Sequence, residues 1–215
     1  LKYGDSYFFI KRHVFFLIVG MFTFIWGLHL DIRWLKKWAG WLMVLAVFLL
    51  LVLYVPGVWR RIGGASRWIE IGFISFQPSE FMKFSMIVFL ASILSEARDS
   101  LLDFVKGLLP LLVIVGFVAG LIIMQPDLGT AIAISGTAFA LFFAAGAQLK
   151  HLAAIGVMSL VGLLVLSLTS RYRLHRLLAF IDPWKDPQGI GFHIIQSLIA
   201  VGSGQMFGKG LGFGS

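Results

Sequence analysis

The sequence predicts an all-α, polytopic transmembrane protein, and three observations carry that prediction. Of its 215 residues, 59% are hydrophobic and only 13% are charged, about half the charged share of a soluble domain. The mean hydropathy is +0.93. The apolar residues gather into six runs, each close to the roughly 20 residues that a helix needs to cross about 30 Å of hydrocarbon. Helices that are apolar all round have no stable place against water, so six buried helices of a soluble protein are a poor alternative.

The expected spans are 14–30, 38–55, 78–94, 108–124, 130–147 and 151–168. Between the first two lies a cationic turn, Asp31 to Lys37. The second span is followed by a long loop, Pro56 to Gln77, with Gly57, Gly63, Gly64 and Gly72 and three arginines. The third span carries Glu80 and Lys83 at its start and leads to a charged connector, Glu96 to Lys106. From Ser170 onward the chain turns Arg-, Gly- and Pro-rich with no run long enough to span, so 170–215 is expected to be part of a large loop. Leu1 to His13 shows no signal-peptide pattern. The absence of an initiator Met and the glycine-rich stretch at Ser215 suggest a piece of a longer protein.

The chain has no cysteine, which removes disulfides and thiolate metal sites. Its net charge of +8 would suggest nucleic acid in a soluble protein. In a membrane protein it points instead to anionic headgroups or an anionic lipid-linked substrate, and nucleic acid is not expected as a partner. If the spans alternate, Arg33, Lys36, Lys37, Arg98, Lys106 and Lys150 share one side. Lys2, Lys11, Arg12, Arg60, Arg61, Arg67, Arg171, Arg173, Arg176, Lys185 and Lys209 share the other. A plain count of cations would put the second set in the cytoplasm.

Three segments depart from membrane-helix composition, and all fall on that second side. The first runs from Gly63 through Arg67-Trp68-Ile69 to Gln77-Pro78-Ser79-Glu80-Phe81-Met82-Lys83. Pro78 suits the first helical position, where its missing N–H costs nothing. Glu80 then sits in the first turn, where the helix dipole favours a carboxylate, and Lys83 is three residues on, within reach of it. Such a pair can simply neutralise two charges at the membrane rim. A cation inside the start of a span, however, costs about 2.5–3.5 kcal/mol at full depth, which favours a water-filled cavity.

The second segment, Gln125-Pro126-Asp127-Leu128-Gly129-Thr130, repeats the order Gln-Pro, carboxylate, helix. Read alone, it is a tight turn with Asp127 at a helix N-terminus. The third holds Arg171, Arg173 and Arg176, suited to phosphates by their forked guanidinium groups and equally to headgroup anchoring. It continues through Asp182-Pro183 and Asp186-Pro187, two turn-forming steps, to an amphipathic stretch from His193 to Ala200 that contains Gln196 and Ser197. The glycines that follow are weak evidence of a phosphate cradle.

Arg67-Trp68-Ile69, Gln77 to Lys83, Gln125 to Thr130, and Asp186-Pro187 through Gln196-Ser197 to Gly202-Ser203-Gly204, in that order, resemble the SEDS family (shape, elongation, division, sporulation) along essentially the whole chain. The start Tyr3-Gly4-Asp5 is closer to its FtsW and SpoVE branch. The resemblance implies a ten-span protein of the bacterial inner membrane, of which the six runs would be spans two to seven, with the motif-bearing side outside the cytoplasm. It also implies a glycosyltransferase that polymerises lipid II, an undecaprenyl-diphosphate-linked disaccharide peptide, into peptidoglycan during division or elongation. Partners implied are a class B penicillin-binding transpeptidase and other divisome or elongasome membrane proteins.

The family's catalytic aspartate belongs to a His-Thr-Asp-Phe-like motif that does not occur before Ser215, so no catalytic residue is assigned here. Substrate-binding residues expected from the motifs are Arg67, Trp68, Gln77, Ser79, Glu80, Lys83, Asp127, Arg171, Arg176, Asp186, Gln196 and Ser197. Arg67, Lys83, Arg171 and Arg176 would face the diphosphate, and Trp68 would form a wall. Glu80 and Asp127 would orient basic groups, and Gln196 and Ser197 would contact sugar. A divalent cation could assist, although no all-protein metal cage is visible. A lipid II flippase and a non-catalytic scaffold for the transpeptidase are the competing readings.

Overall fold

A computed structural model describes residues 8–55, 60–62, 65–71, 74–96, 100–168, 181–189, 191–205 and 208. It divides into two units, 1–152 and 153–215, each described by itself.

The first unit is built on four packed helices, α2 (Ile32–Val52), α3 (Pro78–Leu94), α4 (Leu109–Met124) and α5 (Leu128–Ala144). Each hides one stripe. On α2 the stripe is Ala39, Met43, Ala46 and Leu50; on α4 it is Leu111, Val115, Val118 and Ile122; on α5 it is Ala131, Ile134, Ala138 and Phe142. Steps of three and four residues keep a stripe on one helix face. The α3 stripe of Met82, Met86, Leu90 and Leu94 steps strictly by four. α2 packs on α3 and α4, and α5 packs on α3 and α4. Lipid offers no hydrophobic drive between helices, so association rests on close van der Waals contact. Ala39, Ala46, Ala131 and Ala138 permit that approach.

The remaining faces are apolar and exposed, including Trp41, Val44, Val113 and Phe143, the mark of a protein solvated by lipid. Helix α1 (Phe8–Leu28) buries none of its residues from Ile10 to Leu28 among the described residues. By length and composition, four described helical segments can cross a membrane: Ile10–Leu28, Ile32–Val52, Phe104–Met124 and Leu149–Leu166. α3 and α5 have 17 residues each, or about 25 Å, and lie between these in the chain.

Local differences from the expected boundaries have identifiable causes. α1 starts six residues before Val14 and takes in Lys11 and Arg12, whose long stems let the charged heads reach water; the Arg12 guanidinium lies 5.7 Å from the Phe16 ring centre. The cationic turn 31–37 is instead the opening of α2. Asp31 caps it, accepting from the Arg33 N–H at 2.9 Å, and the Arg, Lys, Leu and Trp that follow form helix readily.

The loop 56–77 contains an antiparallel sheet of β1 (Arg60–Ile62), β2 (Ala65–Ile71) and β3 (Ile74–Phe76), in that order. Arg60 pairs with Trp68 on one side of β2, and Ile69 with Phe76 on the other. Between α3 and α4, a 3₁₀ turn (Ser100–Leu102) and a π turn (Phe104–Leu108) replace an irregular connector. Asp103 caps the π turn by accepting from the N–H groups of Val105 and Lys106. Pro110 has no N–H for the Lys106 carbonyl and crowds it, which accounts for a wide turn at this point.

Helix α6 (Leu149–Leu168) begins in the first unit and continues into the second. The second unit also holds a 3₁₀ turn at Pro183–Lys185 and helix α7 (Phe192–Gly204), the amphipathic stretch expected around His193 to Ala200. The two Asp-Pro steps do form turns here.

Candidate functional site

Contacts within the first unit define two ends of the α2–α5 bundle. At one end Lys36 Nζ lies 2.7 Å from Glu96 Oε1, and Gln148 Nε2 donates to the Leu102 carbonyl at 2.9 Å. At the other end, the C-terminus of α2 meets the turn between α4 and α5. Tyr54 donates its hydroxyl to the Leu121 carbonyl at 2.5 Å, and Gln125 Nε2 donates to the Leu50 carbonyl at 3.2 Å. The helices therefore alternate in direction, and the two Gln-Pro motifs come to the same end.

Their meeting is direct. Gln77 stands at the N-cap of α3 with extended backbone and does not cap with its side chain. Its amide turns across the bundle, donating to Ser79 Oγ at 2.9 Å and toward Asp127 Oδ2 at 3.4 Å. Asp127 is buried and is itself the N-cap of α5, accepting from the Thr130 N–H at 3.3 Å and the Thr130 hydroxyl at 2.9 Å. A carboxylate buried against a helix N-terminus is favoured by the unsatisfied N–H groups and the dipole there. Pro78 is the first residue of α3, as its chemistry requires, and is buried together with Ser79.

One turn further, Lys83 Nζ lies 2.8 Å from Glu80 Oε2, and their side chains are 35% and 56% exposed. The ammonium thus sits half-sunk at the bundle end with a carboxylate beside it and an open side toward solvent. That arrangement can hold a cation ready for a phosphate oxygen without the cost of an unpaired charge in a span. Glu80 does pair with a basic group, whereas Asp127 accepts from an amide, a hydroxyl and a backbone N–H.

Strand β2 leads the chain toward this end. Trp68 lies in it, half-buried, opposite Arg60. Arg67 is also in β2, but its side chain, like Arg171 and Arg176 altogether, lies outside the described residues. Asp186, Gln196 and Ser197 belong to the second unit. Asp186 accepts from the Gly189 N–H at 3.0 Å, closing the turn before α7. Ser197 donates to the His193 carbonyl at 2.8 Å, and Gln196 is exposed on α7.

Gln125, Thr130 and Tyr54 were not among the expected site residues, yet they fasten the same end. The parallel between Gln77-Pro78 and Gln125-Pro126 was the available signal for Gln125. Nothing local in the sequence marks Tyr54. Among the described residues no three His, Asp or Glu side chains gather in a way that would hold a metal ion.

The family described as cell cycle protein, grouping FtsW, RodA and SpoVE, matches residues 1–215. Stage V sporulation protein E of Bacillus subtilis (strain 168) is 44% identical over 212 residues, which cover 98% of this chain and 58% of that protein. The probable peptidoglycan glycosyltransferase FtsW of Geobacter sp. (strain M18) is 38% identical over 213 residues, 99% of this chain and 58% of that one. Among solved structures, one describing the coordination of polymerization and crosslinking by a peptidoglycan synthase complex matches with a TM-score of 0.72 and 31% identity, over 91% of this chain and 57% of the other. The Thermus thermophilus rod shape determining protein RodA matches with a TM-score of 0.59 and 29% identity, over 74% and 51%. The chain thus spans little more than half the length of the relatives it matches. With its helical architecture, its paired motifs and a match along its whole length, the chain belongs to the FtsW/RodA/SpoVE family of polytopic membrane proteins.

Proposed function

We propose that the protein containing this chain is a peptidoglycan glycosyltransferase of the bacterial inner membrane that polymerises lipid II, and that the Gln77–Asp127 end of the bundle receives the diphosphate of that substrate. The observation that carries the reading is the joining of two sequence motifs, 50 residues apart, into one polar end of a chain whose relatives include proteins named as glycosyltransferases. Lys83, with Glu80 beside it, would meet the departing diphosphate, whose developing charge a preorganised cation stabilises. Gln77, Ser79 and Asp127 would fix the start of α3 so that Lys83 is held at that position. Arg67, Arg171 and Arg176 would add cations, Trp68 a wall, and Gln196 and Ser197 sugar contacts. Asp186, engaged in its own turn, would act by shaping the segment before α7. The general base that takes the acceptor hydroxyl proton would lie beyond Ser215. A class B transpeptidase is the proposed partner that crosslinks the product.

Reconstitution tests this. Purified full-length protein supplied with lipid II and no other polymerase should produce glycan strands. Translocation of lipid II with no polymer would overturn the enzyme reading in favour of a flippase. Neither activity, with cell-wall synthesis nonetheless dependent on the protein, would favour the scaffold.

A further inference from the structure

The opposite end of the bundle carries a feature that the polymerase reading does not use. An open groove of about 860 Å³ runs along the outside of α2, α3 and α4. Trp41, Val44, Phe89, Val113 and Phe117 line it, and four of these are more than half exposed. Its floor at α2 is Gly40, where an added Cβ would meet no atom within 4 Å. At its mouth stands Lys37, exposed and without an ion pair among the described residues, whereas its neighbour Lys36 is held by Glu96.

Two observations say what fits. From Lys37 to Val47 the groove follows α2 for ten residue-to-residue steps, about 15 Å at 1.5 Å per step, which is half of the roughly 30 Å hydrocarbon core and therefore the depth of one leaflet. The mouth also lies at the level of Trp34 and Trp38, whose rings are 6.1 Å apart, and tryptophans mark the headgroup level. A cation at headgroup level above an apolar slot one leaflet deep is complementary to an anionic phospholipid, phosphate at the top and acyl chain below.

We propose that this groove is a binding site for an anionic phospholipid of the leaflet on the Lys37 side, its headgroup on Lys37 and an acyl chain along Gly40, Val44 and Phe117. The site is at the far end of the bundle from the Gln77–Asp127 contact, so it stands or falls separately from the polymerase reading.

The test uses full-length protein in vesicles containing phosphatidylglycerol or phosphatidylcholine with a photoreactive diazirine in the acyl chain, and cross-linked residues are mapped by mass spectrometry. Wild type should be labelled on α2 and α4 around Val44 and Val113 to Phe117, about fivefold more by phosphatidylglycerol, the factor expected for one cation near an anionic headgroup. Lys37→Ala should abolish the headgroup preference. Gly40→Phe, whose added Cβ meets no atom within 4 Å and whose ring would occupy the slot, should reduce labelling by both probes. Equal labelling by both lipids in wild type would overturn the proposal, as would labelling that neither variant changes. Absence of label from the groove, as when another part of the full-length protein covers it, would do the same. So would loss of the label on adding excess polyprenyl diphosphate, which would give the slot to the substrate's chain.

Discussion

Asp127 shows how much one side chain can join. It ends the turn after α4, caps α5 and accepts from Gln77, so a single carboxylate couples the starts of two helices. Asp127→Ala should lower stability by about 1–2 kcal/mol, from the lost cap and the unsatisfied Gln77 amide. Asp127→Asn keeps the cap but sets an N–H donor against the Gln77 amide, so it should lose less than Asp127→Ala while falling short of wild type. Thermal unfolding of the full-length protein in detergent checks both. Equal losses would show that capping is not what Asp127 contributes.

Glu96 illustrates a different case. The hydrogen bond from Lys36, and then its charge, hold the Glu96 carboxyl below the ordinary carboxylate range. A depressed pKa means that the tie is complete above the unfolded value, about 4.3, and is lost only as pH falls through the lower folded value. Both partners are largely exposed, so the bridge contributes little. Glu96→Gln should leave the neutral-pH melting temperature unchanged, while the Glu96 carboxyl carbon in wild type should titrate below a free glutamate by NMR.

Among the elements, those written in apolar length were legible: each of the six expected runs lies largely within a helix, because a run that spans lipid must satisfy its backbone internally. Pro78 at the head of α3, the Glu80–Lys83 pair and Asp127 at a helix start were legible too, since each depends on neighbours within one turn. What the sequence left obscure depends on partners far away or on mixed signals. The β2 strand, Ala65 to Ile71, mixes arginine, glutamate and β-branched residues among glycines, and strand preference emerges only when β1 and β3 pair with it. The Gln77–Asp127 contact spans 50 positions, and Gln125 to the Leu50 carbonyl spans 75; no periodicity encodes either.

The turn before α7 yields a prediction at the same scale. A Cβ on Gly191 would come within 2.1 Å of the Pro183 carbonyl oxygen, a backbone atom, whereas one on Gly189 would meet the Asp186 carboxylate, which can rotate away. Gly191→Ala should therefore speed amide hydrogen exchange over residues 183–192 far more than Gly189→Ala. The reverse order would contradict the described turn.

For the whole molecule, alternation of the helices puts Glu80 and Glu96 at opposite ends of the bundle. In full-length protein carrying no other cysteine, Glu80→Cys and Glu96→Cys should each react with an impermeant maleimide from one face of the membrane only, and from opposite faces. Labelling of both from the same face would break the alternating arrangement.

Under the proposed function, cations at the motif end would serve the diphosphate, and those at the other end would not. The direct measurement is glycan polymerisation from lipid II by reconstituted full-length protein, comparing Lys83→Met with Lys36→Met at matched folded amounts. Loss of a charge-assisted contact of about 1.5–3 kcal/mol predicts a roughly 10- to 100-fold slower rate for Lys83→Met, with Lys36→Met near wild type. Wild-type polymerisation by Lys83→Met, or an equal loss in both variants, would contradict a role for Lys83 at the diphosphate.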